Sequence, residues 1–440
     1  MKLLDGGISE FVELMRSHDA SRVWWVWDPV GEAVKVSHPF LREIAEWMQN
    51  DRIDYQQHEG IFLQIGRQTG ALQGAFVHNT VRGQAAGGVR FWRYDNLRDY
   101  LLDGIRLAKG MTHKNALAGL WWGGGKGVVA RPQNVSHRDP EFRQQLFREY
   151  GDLMTSLRGC YVTAEDVGVN TGDMAQLFSR SRFTTCIPAE LGGSGNPSIP
   201  TARGVVCAME AALATLKMGD LSGKTIAVQG YGNVGIPMIR YLLEAGVSRI
   251  IAADVDEVRR EQVAREIPDP RLELRLVEHD DNSILAEEAD ILSPCATGGT
   301  LNCDTIPDIK AAIVCGAANN QLRDPVNDGP LLVKNGVTYV PDFLANRMGI
   351  VNCADEQNGY VPDDDDFQRH FSEEWEYGIP ELTRRILNNS DSSGAATDVE
   401  AVRLAEEFAA RPHPLAGHRG QRIIDGLITD RWETLKEPSV

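Results

Sequence analysis

The stretch KTIAVQGYGNVG (224–235) runs from an apolar strand into three glycines spaced Gly230-x-Gly232-x-x-Gly235 and then into the helical pattern GIPMIRYLLEAG. A carboxylate, Asp254, closes the next apolar segment, RIIAADV, 19 residues after Gly235. This spacing has a physical reading. The first glycine permits a tight turn, the second lets a pyrophosphate approach the backbone, and the third packs helix on strand. Asn233 and Val234 fill the turn, and the helix N-terminus offers unpaired N–H groups to phosphates. Asp254 then bonds the adenosine ribose hydroxyls and repels a 2′-phosphate, which favours NAD over NADP. Arg259 and Arg260, close by, pull the other way.

Outward from this motif, strand and helix alternate. EVRREQVAREI reads as a helix, and ADILSPC, AAIVCGA and VTYVPDF as strands, giving a parallel sheet covered by helices. The rhythm stops near Phe343 and a largely helical tail follows. DSSGAA (391–396) reads as a loop and TDVE (397–400) as a capping box opening a helix to Phe408. Upstream, LGGSGNPSIPT (191–201) is the densest Gly/Pro/Ser patch and marks a domain boundary. Before it, IFLQIG and GAFVHN read as neighbouring strands joined by a turn, 94–120 as one long helix, and 140–157 as another. These readings divide the chain into an N-terminal extension (1–50), a first domain (51–200), a dinucleotide-binding domain (201–345) and C-terminal helices (346–440) that return to the first domain.

The composition sets limits. A chain of 440 residues predicts two or three domains, and 42% hydrophobic with 24% charged residues is globular composition. A net charge of −17 argues against a nucleic-acid partner. The seven cysteines contain no CxxC pair, so they predict reduced thiols in a cytoplasmic protein and no zinc site. The N-terminus lacks the apolar core of a secretory signal, and no apolar run is long enough to cross a membrane. The acidic run 363–366 reads as a solvated surface.

The chemistry is expected elsewhere, in WWGGGKGVVAR (121–131), where Lys126 stands among glycines. Lys114 precedes it by 12 residues, and Asp166 ends a strand in TAEDVG. Two ammonium groups around a glycine-cleared space suit an α-carboxylate, and their repulsion with partial burial would lower one lysine's pKa towards the range of proton transfer. Solvated lysines remain the competing reading at this point.

The run GGVRFWRYDNLRDYLLDGIRLAKGMTHKNALAGLWWGGGKGVV (87–129) resembles the signature of the glutamate/leucine/phenylalanine/valine dehydrogenases. TAEDVG, GGSGNPS, VQGYGNVG, PCATGGTLN, GAANNQL and PDFLANRMGIVNCADE continue the match in order, from about residue 54 to 360. The leucine-dehydrogenase branch is the most similar. The resemblance implies an α/β protein of two domains, one with a mixed sheet and one of Rossmann type, with the active-site cleft between them. It implies reversible, NAD-dependent oxidative deamination of an L-amino acid to a 2-oxo acid and ammonia. By position, Lys114 is similar to the lysine that binds the substrate carboxylate, Lys126 to the lysine that assists water attack on the imine, and Asp166 to the proton-transfer carboxylate. Gly87 and Gly88 match the pair whose backbone lies against substrate, and Asn320 and Asn346 match polar positions near nicotinamide and substrate. The glycines around Lys126 are then expected to let substrate and nicotinamide approach.

Glutamate-specific members carry a lysine before the Gly-Gly pair, where this chain has Ala86. Cys353 stands where those members place serine and branched-chain enzymes valine. Both changes predict an apolar substrate, leucine, valine or isoleucine, with phenylalanine or tryptophan also admitted. The family's Asn-Ala-Gly-Gly becomes Asn346-Arg347-Met348-Gly349, and HDT becomes His78-Asn79-Thr80. Arg347 therefore raises two alternatives: an acidic substrate that it reads, or an altered member that binds nucleotide without turnover. A Rossmann enzyme acting on 2-hydroxy acids would want a histidine–carboxylate pair or a metal instead. No metal constellation is present in the sequence, and a homo-oligomer is expected from the family.

Overall fold

The computed structural model describes residues 2–435 except 134, 360, 362 and 363. Residue 360, where the family resemblance ends, and Asp363, which opens the acidic run, lie outside the described residues.

The chain builds two sheets. The first contains β1 (Arg22–Asp28), β2 (Ala33–Val36), β3 (Gly60–Ile65), β4 (Leu72–Asn79), β5 (Ala85–Trp92), β6 (Gly123–Ala130) and β7 (Tyr161–Glu165), in the order β2-β1-β3-β4-β6-β5-β7. It is mixed: β5 pairs parallel with β6 and β7, and the other pairings are antiparallel. The first 50 residues, expected as an extension, supply the two strands at one edge, β2 and β1. Trp25 is buried from β1, alongside Phe11 and Ile44 from the preceding and following helices.

The second sheet is wholly parallel, with β8 (Thr225–Gln229), β9 (Arg249–Asp254), β10 (Leu272–Leu276), β11 (Ile291–Pro294), β12 (Ile313–Val314) and β13 (Thr338–Tyr339) in the order β10-β9-β8-β11-β12-β13. The order reverses at β8, the strand that feeds the glycine turn, and ligands of such sheets bind beyond the strand ends at this switch point. Strand β10 is absent from the sequence reading. Its alternation Leu272, Leu274, Leu276 is interrupted by Glu273 and Arg275, as suits an edge strand.

Segment 191–201 leads into the helix Ser198–Thr215, whose Ala202, Val205 and Met209 share a core with Ile226 and Ile250 of the second sheet. Residues 346–440, expected to return to the first domain as one block, divide. The helices Ile379–Ser393 and Thr397–Ala409 bury Ile386 and Leu404 in the core of the second sheet. Arg419–Thr429 and the turn after it pack on the first sheet, where the buried Trp432 meets Phe62 edge-on at 5.3 Å, and Ile350 and Cys353 of the helix Met348–Asn358 join the same core. The loop expected at 391–396 is helical to Ser393. The capping box at 397–400 does not form, because the Thr397 hydroxyl donates to the Tyr339 carbonyl at 2.6 Å while Glu400 takes Ser393 and Arg403.

The long helix Leu97–Leu117 lies directly on β6. A Cβ on Gly124 would stand 2.0 Å from the Thr112 hydroxyl and 2.3 Å from its backbone nitrogen. Gly124→Ala must therefore push the helix off the strand. The expected result is a loss of roughly 2 kcal/mol or more, read as a lowered unfolding midpoint. An unchanged midpoint would show that the helix tolerates the shift.

Candidate active site

Strand alternation decides what reaches the cleft. On β5, Gly88 and Arg90 face the same way, on β6 Lys126 is one of the few side chains long enough to leave the strand, and Asp166 follows the last residue of β7. The Lys126 ammonium lies 2.6 Å from Asp166 Oδ2, with the lysine side chain 6% exposed. Arg90 Nε stands 3.4 Å from the same oxygen, and its Nη1 donates to both oxygens of Asp103 at 2.9 and 3.1 Å. Tyr94 donates to Asp103 at 2.5 Å. Burial alone would raise the Asp166 carboxyl, but Lys126 and Arg90 outweigh it and hold it at about 2. Arg90, Tyr94 and Asp103 escaped the sequence reading; the available signal was the shared strand face of Gly88 and Arg90.

Lys114 projects from the last turn of the long helix and donates to Asn319 Oδ1 at 3.1 Å. Asn346 donates to that oxygen at 2.8 Å and to the Ala317 carbonyl at 3.0 Å, while its own Oδ1 is buried without a hydrogen-bond partner. Asn320 lines the same cavity, but Asn319, which makes these contacts, was missed in favour of its neighbour. Asp342, also missed, lines the cavity and accepts the Gln321 N–H at 2.9 Å. Burial is the main cause that lowers the Lys114 ammonium to about 8, with repulsion from Lys126 adding to it and Asp342 and Asp166 opposing.

These groups line one cavity of about 280 Å³, together with Gly88, Val234, Cys353 and the apolar Met111, Phe343 and Ile350. Other sequence candidates lie beside it. Ala86 is buried in the apolar cluster that contains Cys186, Ile350 and Cys353, and its carbonyl accepts from Asn115 at 3.2 Å. The Gly87 carbonyl accepts from Tyr161 at 2.6 Å, and a Cβ there would stand 2.0 Å from the Gly125 carbonyl oxygen. Cys353 Sγ stands 3.1 Å from Cys186 Sγ, and that contact, with burial, raises its thiol and keeps it neutral.

Two expectations are corrected. The glycines around Lys126 do not clear room for a ligand. A Cβ on Gly123, Gly125 or Gly127 would strike the Asn79 carbonyl at 1.9 Å, the Tyr161 ring at 2.6 Å or the Tyr150 hydroxyl at 2.2 Å. They let the protein's own helix, strands and rings close around the lysine. Nor does Arg347 read an acidic substrate. It is fully buried facing away from the cavity and donates to the Leu117 and Tyr377 carbonyls and to His370 Nδ1. Met348 is likewise buried in the second core, so the bulk of Arg-Met turns inward and Gly349 remains at the cavity wall.

At the glycine turn, Gly230 has φ +93°, a left-handed conformation that favours glycine, and a Cβ on Gly235 would stand 2.3 Å from the Gly230 carbonyl oxygen. A Cβ on Gly232 would meet only the Arg259 guanidinium, at 3.4 Å, so this side of the turn is open. Asn233 is exposed there, and Asp254 accepts the Tyr231 N–H at 3.0 Å. The open turn, the helix start and the carboxylate fit a dinucleotide, and Val234 and Asn320 carry that site into the cavity. Among the described residues, no three His, Cys, Asp or Glu side chains gather as metal ligands, and no helix is long and apolar enough to cross a membrane.

A parallel switch-point sheet facing a lysine–carboxylate cavity across a cleft defines a dinucleotide-dependent dehydrogenase. Residues 64–182 match the Glu/Leu/Phe/Val dehydrogenase dimerisation domain and residues 192–411 the Glutamate/Leucine/Phenylalanine/Valine dehydrogenase domain. Leucine dehydrogenase of Bacillus subtilis (strain 168) is 38% identical over 371 residues, 84% of this chain and 94% of that protein. Valine dehydrogenase of Streptomyces coelicolor is 36% identical, covering 82% and 95%. The crystal structure of L-tryptophan dehydrogenase from Nostoc punctiforme superposes with a TM-score of 0.65 at 30% identity, covering 84% of this chain and 98% of that one. The chain belongs to the glutamate/leucine/phenylalanine/valine dehydrogenase family.

An anion held by Lys114 needs the charged ammonium, which is present below about 8 and lost above it. Binding of a 2-oxo acid is therefore expected to weaken as pH rises through about 8, read as a rising KM. Lys114→Gln should bind weakly and lose this dependence. A KM rise of equal size in that variant would place the titration elsewhere.

Proposed function

We propose that this protein catalyses the reversible, NAD-dependent oxidative deamination of an L-amino acid with an apolar side chain to the 2-oxo acid and ammonia. The observation that carries the reading is the 2.6 Å Lys126–Asp166 pair, set in one cavity with Lys114. Leucine, valine and isoleucine fit the apolar lining, and phenylalanine or tryptophan are further candidates. The support is the lining itself, with Cys353, Ile350 and Met111 and with Arg347 turned away, together with relatives named leucine and valine dehydrogenase.

In this reading Lys114 pairs with the substrate α-carboxylate and fixes Cα in the cleft, beside the Gly88 backbone. Asp166, ionised at neutral pH, takes a proton from the substrate ammonium and leaves a neutral amine. Bound NAD supplies the hydride acceptor for the Cα hydrogen. Once Asp166 is protonated, the charge facing Lys126 is gone; the ammonium gives one proton to solvent, the proton that the overall reaction releases, and the amine so formed takes a proton from the water that adds to the substrate imine. Asp166 returns its proton to the departing nitrogen, which leaves as ammonia. Asn346, with a free buried Oδ1, and Asn320 hold the amide and amine groups around this centre, and closure of the cleft excludes bulk water. Gly230, Gly232, Asn233, Val234, Gly235 and Asp254 hold the dinucleotide.

We further infer a homo-oligomer, supported by the match of 64–182 to a domain described as a dimerisation domain. A cytoplasmic setting is inferred from the seven cysteines, all free thiols.

The test follows NADH oxidation with ammonia and a panel of branched-chain, aromatic and acidic 2-oxo acids. Turnover is expected on apolar oxo acids only, dependent on ammonia, and lowered about 10²-fold or more in Lys126→Ala. Turnover without ammonia, or preference for 2-oxoglutarate, would contradict the proposal.

A further inference from the structure

The phosphate-binding turn has an unbalanced charge around it. Asp254 and Asp256 both stand at its mouth, and the arriving dinucleotide brings two phosphates, so backbone N–H groups alone would face four negative charges. Arg259 and Arg260 both act on Tyr231 of the turn, and Arg259 is the one that reaches its glycine. Arg259, in the first turn of the helix Glu257–Glu266 that Asp256 caps, reaches back over the turn. Outside Tyr231–Asn233, its Nη1 is the only atom among the described residues within 4 Å of a Cβ built on Gly232, at 3.4 Å. The guanidinium stands 3.9 Å from Asp254 and 3.9 Å from Asp256, too far to hydrogen-bond to either, and it is 38% exposed. A planar fork of donors is thus held in place by two carboxylates with its donor directions unspent. The backbone of Gly232 is where the pyrophosphate must pass.

We propose that Arg259 is a further cofactor-binding residue, its guanidinium closing over the glycine turn onto the diphosphate of the dinucleotide. The two aspartates divide the work: Asp254 meets the ribose, and Asp256 with Asp254 positions the arginine. Arg260, one residue on, pairs at 3.8 Å with Glu257 of its own helix and makes no approach to Gly232, so it serves as the control for a general charge effect.

The inference rests on the dinucleotide assignment, and binding is read directly, by quenching of tryptophan fluorescence and by calorimetry, without turnover. Arg259→Ala is expected to weaken NADH and ADP-ribose about ten-fold, the loss of one charge-assisted contact, while adenosine binds as before. Arg259→Lys should fall between, and Arg260→Ala should stay within about two-fold of wild type. Unchanged ADP-ribose binding in Arg259→Ala, or equal weakening in Arg260→Ala, would overturn the proposal. Equal weakening of adenosine would place the arginine on the base and overturn the phosphate contact. Failure of the wild-type protein to bind NADH would instead overturn the dinucleotide assignment itself, and the inference with it.

Discussion

Lys126 and Asp166 come from strands separated by β5, and their 2.6 Å contact puts an ammonium and a carboxylate together at the edge of a core. Removing two charges from water is costly, and one left alone there would neutralise instead. The surrounding structure works to keep both charged. Arg90 rises from the intervening strand to the same carboxylate and is itself held by Asp103 and Tyr94. The net effect holds the Asp166 carboxyl at about 2, so at neutral pH it is ionised and able to accept a proton.

The glycines serve that pair indirectly. Without Cβ atoms at 123, 124, 125 and 127, β6 can lie between the long helix on one face, at Gly124, and the Tyr150 and Tyr161 rings on the other, at Gly127 and Gly125. This close packing sets Lys126 in a fixed place and brings Lys114, on the helix, to the same cavity. Arg347, the cation nearest in sequence to the substrate segment, spends its donors on carbonyls in the core, and Ala86 and Cys353 offer no charge.

Much of this was legible from residues. β8, its turn and the helix after it follow from the glycine spacing; for Lys114, Lys126 and Asp166 spacing is only suggestive, the family resemblance singles them out, and the fold brings all three to one cavity. The rest depended on phase and partners, which one sequence does not carry. Asn319 and Asn320 differ only in which way a short loop turns. Arg347 looked like a substrate group because its helix phase was unknown, and the glycines looked like ligand space because the Tyr150, Tyr161 and Thr112 side chains that fill it are distant in sequence. Thr397 had the right type for a cap, but a sheet carbonyl outcompeted its own helix.

The most direct test of the central pair is a single-turnover measurement of NADH formation from an apolar L-amino acid, in the wild-type protein and in Asp166→Asn. The asparagine keeps the shape and removes the proton acceptor. NADH formation is expected to fall by about 10³-fold while the amino acid and NAD still bind. A rate within about ten-fold of wild type, with binding intact, would show that proton transfer runs through another group and that the Lys126–Asp166 pair is structural.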